Sequence, residues 1–558
     1  MAGNATQAGR AAGGEGGVSG VAGAPAEGGS SGEGGAKDAG PLTCALAAER
    51  FNYLGCEFWP TFVANPVWVK FEPGIGVANE GTEPAEVEVD GPAGFHQTLS
   101  LAPGDSKTLA LPWVSDLKGP QWSEVNTSGG RITQSSRANA GAYHVTATFP
   151  VAVWQFNPLN YKQTDVDCPL NLATCLAASS DATALFPVST LSGSYRVFAY
   201  SSRNEGSDWG TVPGGFAVTA TADDTQVTIQ TSTQCGAEQY ASSDLGPCLA
   251  AGTGLPARQA GEVFQLALNA GDVLQLIGAW AKDPVLKNAD VSGSIVSASK
   301  QVQVISFNAI ADVPDYSVAN TDHMEEAIPP AESMGKQYLV VPPSAPGGVS
   351  QGHVVRIYGN VDGTRLTYSE GKPSGAPDVI NAGEVAQIPP APTGLPAPSC
   401  ISAADHCLTN VPFVVEGDQP FGVASFLPGG VLQSPGQDST SSKGDPAASV
   451  LVTPVQFGQS YSFLVPEGYP EQYADIVLHS GAQVTLDGAP VQATPTAIGK
   501  SGWSFMRVPI AASGMHVVAT DDEHGVGGQI VGLGLATGFY YAAGSKQLRI
   551  SKPPVIVK

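Results

Sequence analysis

The chain has 558 residues, 42% of them hydrophobic and 14% charged, with 50 Asp plus Glu against 26 Lys plus Arg and a formal charge of −24. Such a length allows three or four domains at roughly 150 residues each, with ample material for real cores. The acidity, with no Lys/Arg cluster, excludes nucleic acid and anionic lipid as partners, because both need grouped positive charge.

In chain order, residues 1–43 come first. Fourteen of the first forty residues are Gly and ten are Ala, with no apolar core of a signal peptide. This is the composition of a disordered linker tethering a domain, and an export signal is expected upstream of the given start. Beyond it, 68 Gly and 44 Pro, together with many Val and Thr, favour short strands and turns over long helices. The most apolar late stretch, VGLGLATGFYYAAG at 531–544, is too short and Gly-rich to span a membrane.

The eight cysteines fall in four close pairs: Cys44 with Cys56, Cys168 with Cys175, Cys235 with Cys248, and Cys400 with Cys407. None forms C-x-x-C, and none has a partner pair at zinc-site spacing. Short local disulfides and an oxidising compartment are the expectation.

Four segments align without gaps: YHVTATFPVAVWQF (143–156), SIVSASKQVQVISF (294–307), FVVEGDQPFGVASF (413–426) and HVVATDDEHGVGGQ (516–529). Each reads as strand, small turn, strand, in hairpin style. Before each lies a second element of strand, tight turn and alternating strand: GVANEGTEPAEVEVDG (76–91), FAVTATADDTQVTIQ (216–230), VRIYGNVDGTRLTYS (355–369) and DIVLHSGAQVTLDG (475–488). Between the two elements sits a turn in which Gly104, Gly271 and Gly383 supply a conformation that residues with a Cβ resist. The pattern predicts an all-β chain of four repeated antiparallel sandwich-like modules, at 44–160, 161–312, 313–430 and 431–558, with a propeller-like arrangement as the alternative.

Catalytic motifs are sparse. Gly348, Ser350 and Gly352 match G-x-S-x-G, but the prolines before and the strand-like run after Ser350 place it in a loop. Gly499, Lys500 and Ser501 lack the upstream glycine of a phosphate loop. Asp521, Asp522, Glu523 and His524 have the chemistry to hold a cation, but they occupy the repeated turn and read as a solvated turn rather than a metal site. The densest cluster is TDHMEEAIPP at 321–330. Asp322 and Glu325 have the spacing of a helix N-cap and its partner, and Pro329 and Pro330 end the turn, so a short capped helix is predicted. The alternative gives Asp322, His323 and Glu326 acid/base roles in a hydrolase or carbohydrate-active enzyme, which requires them to converge in one deep cleft.

Several dispersed pieces, in order, resemble a known family: CEFWPTFVAN (56–65), PVAVWQFNPL (150–159), SSDATALFPVSTLSGSYRV (179–197), DHMEEAIPP followed by MGKQYLVVP, and GDPAASVLVTPVQFGQSYSF (444–463). From about Phe51 to Gly544 the chain is similar to the amino-terminal domain of IgG-Fc-binding proteins, so that 44–545 form one such region. Thr321 stands where family members often carry a cysteine before the Asp-His pair. The resemblance brings no catalytic residues, metal or cofactor. It implies a non-enzymatic binding or adhesion protein, extracellular or tethered to a bacterial surface, with Asp322, His323, Glu325 and Glu326 as a structural or interaction landmark. An unknown protein or glycan is the expected partner, with Trp113, Trp122 and Trp209 as candidate anchors, and the chain is expected to be monomeric. A purely structural surface spacer is a further reading.

Overall fold

The three recurring sequence elements each become a fixed part of a pair of antiparallel sheets. A computed structural model of the chain describes residues 41–121, 132–163, 175–236, 246–279, 289–390 and 407–554, apart from 202, 206–209, 315–317 and 370. The amino-terminal linker lies outside the described residues.

The first aligned segment lies within one strand, His144–Asn157, that is shared between two sheets. Its first half pairs with Gly55–Phe58 and Ala85–Gly91, its second half with Gly74–Ala78 and Asp181–Ala184. Ile295–Ala311 repeats this wiring, pairing first with Ser192–Arg196 and Thr225–Gln230, then with Gly214–Ala220 and Asp322–Ala327. In the last two segments the strand is interrupted at the crossing. Phe413–Gly417 and Phe421–Phe426 enter different sheets, as do Gly514–Thr520 and Val526–Gly534. The hairpin expectation is thereby corrected. The two halves do not pair with each other, because the chain continues across the break instead of reversing. Period-2 alternation is the same in either geometry, so local pattern alone does not distinguish them.

The second element connects the same two sheets and explains its own composition. Its first strand, Gly74–Ala78, Gly214–Ala220 or Val354–Gly359, is buried on both faces and so reads as a continuous apolar run. Its second strand alternates. In Ala85–Gly91 the buried positions are Ala85, Val87 and Val89, while Glu86, Glu88 and Asp90 face solvent. Gly104, Gly271 and Gly383 do occupy left-handed backbone, with φ of 81°, 79° and 80°.

Apolar packing runs from each sheet pair to the next. One cluster joins Phe58, Val87 and Val153 to Val273 and Phe307, and a second joins Phe216 and Val304 to Tyr358 and Phe426. A third links Leu339 and Val414 to Val477 and Phe505, and a fourth returns from Phe463 and Ile530 to Trp154 and Phe156. The succession therefore closes on itself, and Pro41–Lys558 is one unit. Asp181–Ala184, Asp322–Ala327 and Ala448–Val450 close sheets whose other strands precede residues 160, 312 and 430. The sheet pairs thus run past those positions.

Two disulfides pin excursions from this frame. Cys44, opening the short helix Cys44–Glu49 under a Thr43 cap, is bonded to Cys56 in the first strand. Cys235 is bonded to Cys248 between Thr225–Gln230 and Val263–Leu268. Cys175 and Cys407 are also disulfide-bonded. Their expected partners, Cys168 and Cys400, lie outside the described residues. The Cys235–Cys248 bridge spans a sequence separation of 13. The double change Cys235→Ser with Cys248→Ser is expected to lower unfolding free energy by about 3 kcal/mol, measured by denaturant titration. Non-reducing peptide mapping should recover this pair and Cys44–Cys56 as separate linked peptides.

Candidate functional site

TDHMEEAIPP forms no helix. Asp322–Ala327 is a strand with every residue buried, antiparallel to the second half of Ile295–Ala311. The N-cap spacing of Asp322 and Glu325 is real in the sequence, but the side chains have other partners. Asp322 accepts from the backbone N–H groups of Ser180 (2.5 Å), His323 (2.8 Å) and Gly538 (3.1 Å), and from the Thr537 hydroxyl (2.9 Å). It closes contacts between strands far apart in the chain.

The four closing strands meet here, at Asp181–Ala184, Asp322–Ala327, Ala448–Val450 and Thr537–Ala542. Asp181 ties all four together. Its Oδ1 accepts from the N–H of Ala182 (2.9 Å) and Tyr540 (3.1 Å), its Oδ2 from the N–H of Glu325 (3.1 Å) and Ala448 (3.2 Å). Glu326 accepts from the Val450 N–H (2.9 Å) and the Thr183 hydroxyl (2.7 Å), and Thr183 Oγ1 in turn accepts from Ala327 N–H (2.9 Å). Glu325 accepts from the Gln155 amide (3.0 Å) and the Asn157 amide (2.9 Å), with His323 Nε2 at 3.3 Å. Asp445 accepts from Gly430 N–H at 3.0 Å just before the third closing strand.

Electrostatically the junction is costly. Burial pushes the Asp181 carboxyl well above the usual range, against the pull of its N–H donors. Burial does the same to Asp322, reinforced by the like charge of Asp445. Burial raises Glu326 to about 8. Sequence reasoning singled out Asp322, His323, Glu325 and Glu326 but missed Asp181. Its signal was the SSDATALFPV landmark, in which a lone acid sits in an otherwise small and apolar run.

Among the described residues, these groups face only narrow space. Glu326 borders a cavity of about 60 Å³ walled largely by apolar side chains such as Trp154, Phe186, Phe198 and Met334. That is space for a few waters at most. Asp322 and His323 are wholly buried. Among the described residues, the deep cleft that acid/base roles for Asp322, His323 and Glu326 would require is not found around them, and their geometry is that of a structural junction.

The remaining candidates lie elsewhere. Ser350 follows the short turn Pro346–Gly348 in a loop and accepts from Gly352 N–H at 3.3 Å, with a strand rather than a helix next. Gly499, Lys500 and Ser501 form the turn before Trp503–Pro509. Trp113 is half-buried, its indole N–H donating to Phe71 O at 3.0 Å while the Lys118 ammonium sits 5.1 Å from the ring centre. Trp122 and Trp209 lie outside the described residues.

Two substitutions separate the roles of these acids. Asn at 181 turns an NH₂ towards two backbone N–H groups, so Asp181→Asn is expected to cost about 3 kcal/mol or more. Glu326→Gln keeps one acceptor for Val450 N–H and is tolerated. Unfolded glutamate titrates at 4.5 and folded Glu326 at about 8, so the folded state holds the extra proton between them. This contribution is full below 4.5 and is lost as pH rises through about 8. In urea titrations the Glu326→Gln variant should gain stability over wild type as pH is raised from 5 to 8. An advantage that is flat with pH would refute the raised carboxyl.

No curated protein matches the chain. Among solved structures, an anti-sigma factor domain-containing protein from Clostridium clariflavum is 10% identical, with 68% of this chain and 94% of that chain covered. Its TM-score of 0.11 supports no inference. A family model described as IgGFc binding protein matches residues 181–532, a span that takes in Asp181, Asp322, Glu325, Glu326 and Asp445. The chain belongs to the IgGFc binding protein family.

Proposed function

We propose that this protein is a non-enzymatic extracellular binding or adhesion module that engages a protein or glycan through exposed loops and sheet faces of its repeated β units. Family membership carries the reading, since the family is named for binding the Fc part of immunoglobulin. Two further observations support it. The densest cluster of chemically able side chains is used internally at the closing strands. The disulfides Cys44–Cys56 and Cys235–Cys248 suit an oxidising, extracellular setting.

Among the described residues no helix is long and apolar enough to cross a membrane, so attachment at a bacterial surface would run through the amino-terminal Gly/Ala-rich tether. Large exposed apolar side chains are scattered, with Val349, Val411 and Val455 each more than half exposed. Recognition is accordingly assigned to loops rather than to one greasy patch. The protein acts as a monomer, and the four units are repeats of one body.

The test is a screen of the full chain, purified from an oxidising host, against immunoglobulin Fc, mucin-type glycoproteins and a glycan array. A protein or glycan should bind with a dissociation constant in the micromolar range or tighter, roughly −8 kcal/mol. Trp122→Ala or Trp209→Ala should weaken it without changing the melting temperature. Absence of any ligand would favour a passive surface spacer.

A further inference from the structure

The crossing between the two sheets of the fourth unit carries side chains of a different kind from those of the other three. There the strand is interrupted by residues 521–525, DDEHG. The break brings Asp522 and His524 over His479, the last residue of Glu471–His479. One donor atom from each of His479, Asp522 and His524 lies within 4.8 Å of the others. We propose that these three residues form a binding site for a first-row divalent metal ion of the zinc type.

Geometry and donor chemistry both support this. Two imidazoles and one carboxylate are a characteristic zinc donor set, leaving the fourth tetrahedral position for water or an incoming group. Donor atoms on one zinc lie at most about 4 Å apart, twice a bond of about 2.1 Å, so closure needs the side chains to draw in by about an ångström. The side chains have that freedom, since His524 is exposed and His479 and Asp522 are 39% and 22% exposed.

The scaffold beneath is set. Gly525 N–H donates to Asp522 O at 3.1 Å and takes a left-handed φ of 69° that tightens the turn. His524 N–H donates to Asp522 Oδ1 at 3.0 Å, which leaves Oδ2 turned to His479 Nδ1, 3.8 Å away. An outer-shell bond of this kind orients a ligating carboxylate. The two imidazole ring centres are 4.4 Å apart and the planes are tilted by 41°, so the rings are not stacked flat. Trp503 backs them, its ring centre 5.7 Å from His479 and 5.9 Å from His524. Exposed Asp521 and Glu523 flank the turn and add negative charge that favours a cation.

Hard oxygen-seeking ions such as calcium fit poorly, because two of the three donors are imidazole nitrogens. A bound zinc would clamp the crossing turn to the end of an inner strand and leave an open coordination position at the surface.

The test is calorimetric titration of zinc chloride into the tag-free full chain, with thermal melting alongside. One equivalent should bind in the micromolar range, and zinc should raise the melting temperature. His524→Ala, at an exposed position that leaves folding intact, should weaken binding on the order of tenfold or more and abolish the thermal shift, as should His479→Ala. His96→Ala, in the exposed His96–Asp90 pair, should change neither. Zinc binding unaltered in both His524→Ala and His479→Ala, or no binding at millimolar zinc, would overturn the assignment and leave the cluster as aromatic packing on Trp503.

Discussion

A single carboxylate, Asp181, receives four backbone N–H groups, one from its own strand and three from strands whose donors lie 144, 267 and 359 residues further along the chain. Those strands close four different sheets, and their inner edges face one another. Four converging edges do not form a common ladder, so each would bury unpaired N–H groups at a cost comparable to several lost hydrogen bonds. A carboxyl with two oxygens fits that need, because each oxygen can accept from more than one direction. Asp322 and Glu326 extend the same solution outward. The desolvation that lifts these groups out of their ordinary range is offset by sealing the edges.

The same device recurs at lower density between neighbouring units. Glu80 accepts from Tyr53 and Ser462 between the first and last units, and Arg356 pairs with Asp290 at 2.7 Å between the second and third. Asp475 accepts from both the N–H and the hydroxyl of Ser344, at 2.7 and 2.6 Å, between the third and fourth. Apolar clusters supply most of the driving force across these boundaries, while the polar ties fix register, since a slip of one residue would orphan both members of each pair. That combination explains how a chain with repeated sheet pairs is one unit from Pro41 onward.

What was legible in the sequence follows from how local each determinant is. The turn glycines were readable, since left-handed backbone is a property of one residue and its neighbours. The alternating outer strands were readable too, because solvent lies on one face and sorts Val87 from Glu88. The four aligned segments were found for the same reason, although whether they turn back or cross over depends on partners that the segment itself does not encode. Asp322–Ala327 was unreadable. An acidic pair in a strand buried on all sides contradicts every local preference, and D-x-x-E is a genuine cap pattern. Donors such as the N–H groups of Ser180, Gly538 and Val450 and the amides of Gln155 and Asn157 make the buried strand tolerable, and those lie far off in sequence. Asp181 was missed on the same account.

The crossing between sheets shows where such a scaffold has room to diverge. In the first unit the strand passes through Pro150 without a break, and in the second through Lys300 and Gln301, also unbroken. In the third it is cut at residues 418–420 and in the fourth at 521–525. The flanking halves keep their partners in all four, so the register of the sheets does not depend on what the crossing contains. A position that the fold holds in place while leaving its residues free is where new chemistry can be added at little cost to stability. The closing strands show the opposite case. Asp181 and Asp322 are each held by several backbone N–H groups from distant segments, so exchanging either unsettles several sheets, and there the chemistry of the residues is committed to the fold.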